Sequence, residues 1–349
     1  MALSLKRVGA LIAVTALMIG TAACSSRTDG EATGAVAPTT VERFAIVTPE
    51  NESDHGWNQA GLAGAEGAAT ELGIAVDLLP DAGWDNTETV LAQLAEGDAQ
   101  FIIAHASGYS VAAQSVAEST GVPILVHDTG DLIPGKLAKI TTEAQQGGYL
   151  AGIAAAMSTA SKKVGIVVSA DSSNWFKMAS GFAEGVYSVD PTIEVLFASI
   201  GPAEYADSAG GKATAEQLIA AGADVLFGMG DGATTGYLQA VEAAPQVLYI
   251  ADIGDVTDVI DPQRVLTSVL WNYQATYVEA IGDVEAGKFG THDYVLTVGN
   301  GGLTLQDSPN LTPEILAAVE EARSAITAGD ITPTAAATAE ELRAVLAAR

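Results

Sequence analysis

The sequence predicts an α/β protein built from two doubly wound lobes with parallel sheets, and three observations predict it. Short β-branched runs alternate with longer amphipathic stretches from about residue 44 onward. The short runs are continuously apolar, the mark of parallel strands covered by helices on both faces. The alternation begins afresh at Lys163, and two consecutive series imply two sheets rather than one large one.

The first series opens with a strand at 44–48 and a helix at 58–72. Strands at 75–79 and 101–104 follow, each with its helix, at 86–96 and 110–119. Strands at 123–126 and 138–141 then lead to a helix at 143–158. The second series places strands at 163–168, 194–197, 224–227 and 247–250, separated by helices at 176–189, 209–221 and 233–243. In the tail, a strand at 265–269 and a helix at 273–286 precede an extended stretch at 294–305 and a helix at 313–328. A tail that returns to complete both sheets crosses between the lobes several times. Such crossovers make a hinge, with a cleft outside the carboxyl ends of the strands, where open α/β sheets bind ligands. The expected lobes are 43–160 plus about 266–290, and 161–265 plus about 291–333, with a helical tail at 334–349.

The N-terminus reads as a processing signal rather than as fold. Lys6 and Arg7 precede an apolar run from Ala10 to Met18, and small residues end at Cys24, the single cysteine. Residues 1–23 are thus expected to be a lipoprotein signal peptide and Cys24 the acylated first residue, with Thr21 where such signals usually carry Leu. The alternative is an ordinary signal peptide in which Cys24 is incidental. Residues 24–42 are polar, small and aperiodic, a flexible tether. One cysteine excludes an intramolecular disulfide. Removing Lys6 and Arg7 from the 15 basic side chains, against 43 acidic ones, leaves a charge of −30. That surface repels nucleic acid and anionic lipid, and keeps the protein soluble and monomeric.

The residues that could carry chemistry cluster just after strands. They are Trp57 and Asn58; Ser107 and Tyr109; Asp128; Asn174 and Trp175; Gly230 and Asp231; Asp252; and Trp271. Tryptophans offer flat apolar faces to a ring, and amides and carboxylates read its polar edge. An aromatic at a domain rim can equally be an apolar plug, but three on one expected surface favour a ring-shaped ligand; Trp84 stands apart from them. Gly228 to Ala233 match G-x-G-x-x-A, with Asp252 downstream. This is the best case for a dinucleotide enzyme, yet the motif normally opens the domain, whereas here it lies late in the second series. The glycines equally let backbone approach a ligand. No nucleophile elbow and no P-loop lysine motif occur. His55, His105, His127 and His292 lack metal-ligand spacing and are expected to bond ligand or solvent. Neither cofactor, metal nor catalysis is expected.

Several stretches carry a resemblance: GWNQA at 56–60, EAQQGGYLAG at 143–152, KVGIV at 163–167, GFAEG at 181–185, AAGADV at 220–225, LTSV at 266–269 and AGDI at 328–331. The chain resembles the basic membrane protein family of solute-binding lipoproteins over roughly residues 43–333, the span of the strand and turn pattern. The resemblance implies a type I periplasmic-binding fold, an extracytoplasmic lipid anchor, and a permease with its ATPase as partners. It implies that Trp57 and Trp175 stack on a purine. Asn58, Asp128 and Asp252 would bond it, and Gly230 and Asp231 would form a glycine turn facing it. Nucleoside binders of the family carry a ribose-engaging Lys after the Thr-Ser strand, where this chain has Trp271. A purine base and a nucleoside therefore stand level, with another small polar solute open. The rival role is a ligand-sensing receptor that signals to a membrane sensor.

Overall fold

A computed structural model describes residues 39–348. The signal peptide, Cys24 and most of the expected tether lie outside the described residues. No helix among the described residues is long and apolar enough to cross a membrane.

Most helices arise where apolar residues recur at helical spacing, whereas the helix at Ala144–Ser158 is buried nearly all round. In chain order the main elements are β1 (Arg43–Val47), α1 (Trp57–Leu72), β2 (Ala75–Leu79), α2 (Thr87–Glu96), β3 (Phe101–Ala104), α3 (Ser110–Thr120), β4 (Ile124–His127) and β5 (Leu137–Thr142). There follow α4 (Ala144–Ser158), β6 (Lys163–Val168), α5 (Ser173–Val189), β7 (Glu194–Ser199), α6 (Ser208–Ala220), β8 (Val225–Met229), α7 (Thr234–Ala243) and β9 (Leu248–Ile253). The tail holds β10 (Val265–Trp271), α8 (Gln274–Glu285), β11 (Tyr294–Leu296), β12 (Leu303–Leu305), α9 (Pro313–Ala328) and α10 (Ala339–Ala347).

The strands form two six-stranded sheets, ordered β11-β5-β4-β3-β1-β2 and β12-β10-β9-β8-β6-β7. All pairings are parallel except β12 on β10. In each sheet the order reverses beside its first strand, β1 or β6. Loops from the strands' carboxyl ends diverge there and leave a crevice. The central strands are buried on both faces, so they read as unbroken apolar runs.

The strand pairing corrects the expected lobe boundaries in the tail. Residues 266–271, expected in the first lobe, belong to β10, which pairs with β9 in the second sheet. Conversely β11, expected in the second lobe, pairs with β5 in the first. The extended stretch expected at 294–305 is two strands, one in each sheet. The chain therefore passes between sheets near 143, 272 and 297–302, giving three crossovers.

Helix α4 also moves. It follows a first-sheet strand, yet it packs on α5, α9, β10 and β12 of the second lobe. Glycine determines this. A Cβ on Gly148 or Gly152 would lie 2.0–2.1 Å from a carbonyl oxygen of α5, and one on Gly181 or Gly185 would lie 1.9–2.1 Å from a carbonyl of α4. Only glycine lets two helix backbones approach so closely. Helix α10 then covers α5, burying Leu342 completely, with the Thr334 amide donating to Glu184.

Candidate functional site

The crevice between the lobes holds a cavity of about 270 Å³. The first lobe lines it with Glu50, Trp57, Asn58, Trp84, Ser107 and Asp128, and the second with Asn174, Trp175, Tyr205, Asp231, Ile253 and Trp271. Both sheets present loops from their strand carboxyl ends, which is why residues distant in sequence converge.

Trp57 and Asn58 open α1, whose exposed N–H groups need acceptors. The Asp54 carboxylate accepts from the amides of Gly56, Asn58 and Gln59 at 2.8–3.1 Å. It also accepts from Asn58 Nδ2 at 2.7 Å. A carboxylate cannot donate, so this bond fixes the amide's orientation and turns Asn58 Oδ1 away from Asp54. The Trp57 ring rests on His105 and His127, with centroids 4.9 Å from each, and its indole N–H donates to the His105 carbonyl at 3.3 Å. Trp271 meets Trp57 edge to face at 5.7 Å, and Trp175 lies 5.5 Å from Tyr205.

Burial governs the electrostatics. Burial, then the charge of Asp54, then that of Glu50, push Asp231 up to about 8 against the pull of the Trp57 amide. Asp252 is raised well above the ordinary carboxylate range by burial and by Asp231, with the Trp175 indole opposing. Burial raises Asp128 despite hydrogen bonding from Asn174 and the charge of Lys177. Asn174 Nδ2 reaches both Asp128 oxygens at 3.2 Å and so joins the two lobes. Among the described residues, no side chain lining the cavity is basic. The cleft can therefore hold a planar, uncharged or cationic ring with polar groups on its edge, and it disfavours anions.

Eight of the residues expected at the site line this one cavity: Trp57, Asn58, Ser107, Asp128, Asn174, Trp175, Asp231 and Trp271. Three do not. Tyr109 is wholly buried in the first lobe, where its hydroxyl donates to the Gly83 carbonyl. This strand-end tyrosine turns inward, its ring in the first-lobe core and its hydroxyl paired with a partly buried carbonyl. Gly230 contributes backbone: its carbonyl accepts from Ser169, and a Cβ would collide with the Tyr237 ring. Asp252 lies behind the wall, 3% exposed.

The histidine expectation is also corrected. His105 and His127 meet neither solvent nor cavity; they are buried beneath Trp57. His105 Nε2 bonds the Trp57 carbonyl at 2.9 Å, and Nδ1 bonds the Tyr277 hydroxyl at 3.1 Å. Burial lowers His105 to about 4, and burial, then the neighbouring His105, lower His127 well below the ordinary value. Both are neutral supports. No cluster of potential metal ligands occurs among the described residues.

Sequence reasoning missed Trp84, Tyr205 and Glu50. Trp84, 57% exposed, reaches the cavity from the β2–α2 loop. Its ring packs over Gly108 and against Tyr109, at 5.7 Å between centroids. The available signal was the position itself, just beyond a strand's carboxyl end like the other tryptophans.

Comparison with known proteins agrees with this architecture. The profile of PnrA-like ABC transporter substrate-binding proteins matches residues 41–330. A CD4+ T-cell-stimulating antigen of Listeria monocytogenes is 30% identical over 204 residues, covering 53% of this chain and 56% of that protein. An ABC transporter nucleoside-binding protein, BmpA, of Lactococcus lactis is 30% identical over 201 residues, again 53% and 56% of the two chains. The chain thus spans about half the length of the curated relatives it matches. Among solved structures, an ABC transporter solute-binding protein from Aeropyrum pernix K1 superposes with a TM-score of 0.71 at 22% identity, over 88% of this chain and 98% of that one. Another from Conexibacter woesei gives 0.72 at 21%, over 84% and 98%; both share the type I periplasmic-binding fold. By the extent of the profile match, the chain belongs to the PnrA-like family of ABC transporter substrate-binding proteins, a family of binding proteins and not of enzymes.

Proposed function

We propose that this protein captures a purine base or purine nucleoside between its lobes and delivers it to an ABC permease powered by its ATPase. It would act as a monomer, held at the outer face of the cell membrane through acylated Cys24. The observation that carries this is the lining of the cleft: Trp57 from one lobe and Trp175 and Trp271 from the other, with Asn58, Asp128 and Asp231 among them. Indole faces hold a flat ring, each worth about 1 kcal/mol beyond the area it buries. Polar groups on a purine edge give the amides and carboxylates something to pair with, and unpaired they would be costly in a closed site. The relative from Lactococcus lactis, described as nucleoside-binding, supports the same ligand class.

Isothermal titration of the purified full-length chain against adenine, guanine, adenosine, guanosine and ribose tests this. A purine should bind saturably, and Trp57→Ala should weaken it at least tenfold, since stacking and burial are lost together. Comparing base with nucleoside shows whether the ribose contributes. Silence across the panel would sink the purine reading and leave a receptor for another polar solute.

A further inference from the structure

The polar groups carried by the residues that line the cavity are unbalanced. Asn58 Oδ1, Asp231 Oδ1 and Trp271 Nε1 are buried without a hydrogen-bond partner, and all three residues line the cleft. Asn58 and Trp271 are each 4% exposed. The orientation of Asn58 is fixed, because its Nδ2 is committed to Asp54 at 2.7 Å. It can therefore offer only an acceptor. Asp128 adds a carboxylate whose sole side-chain donor is Asn174. Against these acceptors stands the Trp271 indole N–H, which can only donate, while the hydroxyls of Ser107, Ser172 and Tyr205 on the same lining can serve either way.

We propose that the cleft selects a ligand whose polar edge donates more bonds than it accepts: an amino-substituted heteroaromatic ring, in preference to the oxo-substituted ring of the same shape. This rests on the purine reading and narrows it. A carbonyl in place of an amino group would oppose Asn58 Oδ1, which can only accept, and also Asp231 once that acid is ionised, leaving acceptors facing acceptors in a buried site. Such a mismatch is discriminated more strongly than any change of size, because the buried groups are left unpaired.

The protonation of Asp231 gives the proposal a signature of its own. The groups facing this carboxyl are Glu50 and Asp54 of the first lobe, Asp252 of β9, the hydroxyls of Tyr205, Tyr237 and Tyr273, and the Trp57 backbone amide. None is a cation, and burial with these neighbours raises Asp231 to about 8. The free site is thus largely protonated there at neutral pH. An amino ligand pairs best with the ionised acid and expels the proton, so its affinity should rise with pH up to about 8. An oxo ligand pairs best with the protonated acid, so its affinity should stay level below about pH 8 and fall only above it. By linkage the slope approaches, at most, about tenfold per pH unit for one proton.

Titration of the full-length chain with 2,6-diaminopurine and hypoxanthine, neither of which changes charge between pH 6 and 8, reads this directly. Diaminopurine should bind at least tenfold more tightly at pH 8, its affinity rising between pH 6 and 8 while that of hypoxanthine stays nearly level. Asp231→Asn keeps the shape and tolerates the left-handed backbone at this position, where φ is 43°; it should flatten the diaminopurine slope and narrow the preference. Trp271→Phe should weaken both ligands without changing their ratio, which guards against misreading a folding defect. Equal binding, or a preference for hypoxanthine, overturns the donor-rich assignment while leaving the purine reading intact. Failure of either to bind, with the other purines also silent, removes both.

Discussion

At the scale of single residues, the most informative side chains are the ones held in unusual charge states. His105 is lowered to about 4 from an ordinary 6.5, first by burial. Between those values the unfolded chain binds a proton that the folded chain refuses. This contribution to stability is therefore complete above pH 6.5 and is lost as pH falls toward 4. NMR of the imidazoles should find His105 and His127 neutral at pH 6, and protonated signals there would refute the supporting role given to them. Asp231 has the opposite sign. Between roughly pH 4 and 8 the folded chain keeps a proton that the unfolded chain has released, so stability declines as pH rises through that window. Asp231→Asn should accordingly raise the melting temperature at pH 8, by on the order of a few kcal/mol in stability, and change it little at pH 4. Destabilisation at both pH values would mean instead that the carboxylate's bond to the α1 N-terminus outweighs its burial.

At the scale of elements, glycine separates packing from propensity. Gly181 sits where a Cβ would lie 1.9 Å from the Gln145 carbonyl oxygen, whereas Gly282 in α8 has nothing within 4 Å. Gly181→Ala should therefore force α4 and α5 apart and cost about 3 kcal/mol or more, at the upper end for a point mutation. Gly282→Ala should stabilise by about 0.5–1 kcal/mol, since only backbone entropy and propensity change. Chemical denaturation of the two variants checks both signs. The same contrast explains what could be read from the sequence. The strands were legible because a parallel strand buried on both faces must be an unbroken apolar run, as in β3, β4 and β8. The lobe of α4 was not, because its neighbours are chosen by backbone approach to α5 rather than by chain adjacency. Eight cavity residues were legible because they follow strand ends. Tyr109 and His105 share that position and point inward, which local sequence does not encode. Trp84 was missed because its loop is shaped by left-handed backbone at Asp81, Gly83 and Asn86 and by the Tyr109 bond to Gly83.

At the scale of the whole molecule, three crossovers join two sheets that share no strand pairing, so the lobes are free to hinge unless contacts across the cleft hold them. Such contacts exist. Asn174 of α5 donates to Asp128 beyond β4. The Asp231 carboxyl of the second lobe faces the first turn of α1, where a Cβ on Gly56 would lie 2.8 Å from its Oδ1, and a Cβ on Gly254 would lie 2.5 Å from the His55 carbonyl. Bonds made only when the lobes are together favour that state, and a ligand that also touches both lobes binds more tightly the more of the protein is already closed. A hydrogen bond to a charged group contributes about 1.5–3 kcal/mol. Removing it with Asn174→Ala should shift the unliganded protein toward an open form and weaken the ligand by roughly tenfold or more. Small-angle scattering should then show a larger radius of gyration for the free variant, and the same radius as the native protein once ligand is saturating. Equal radii in the free proteins, with the affinity still reduced, would mean that Asn174 acts on the ligand itself and not on closure.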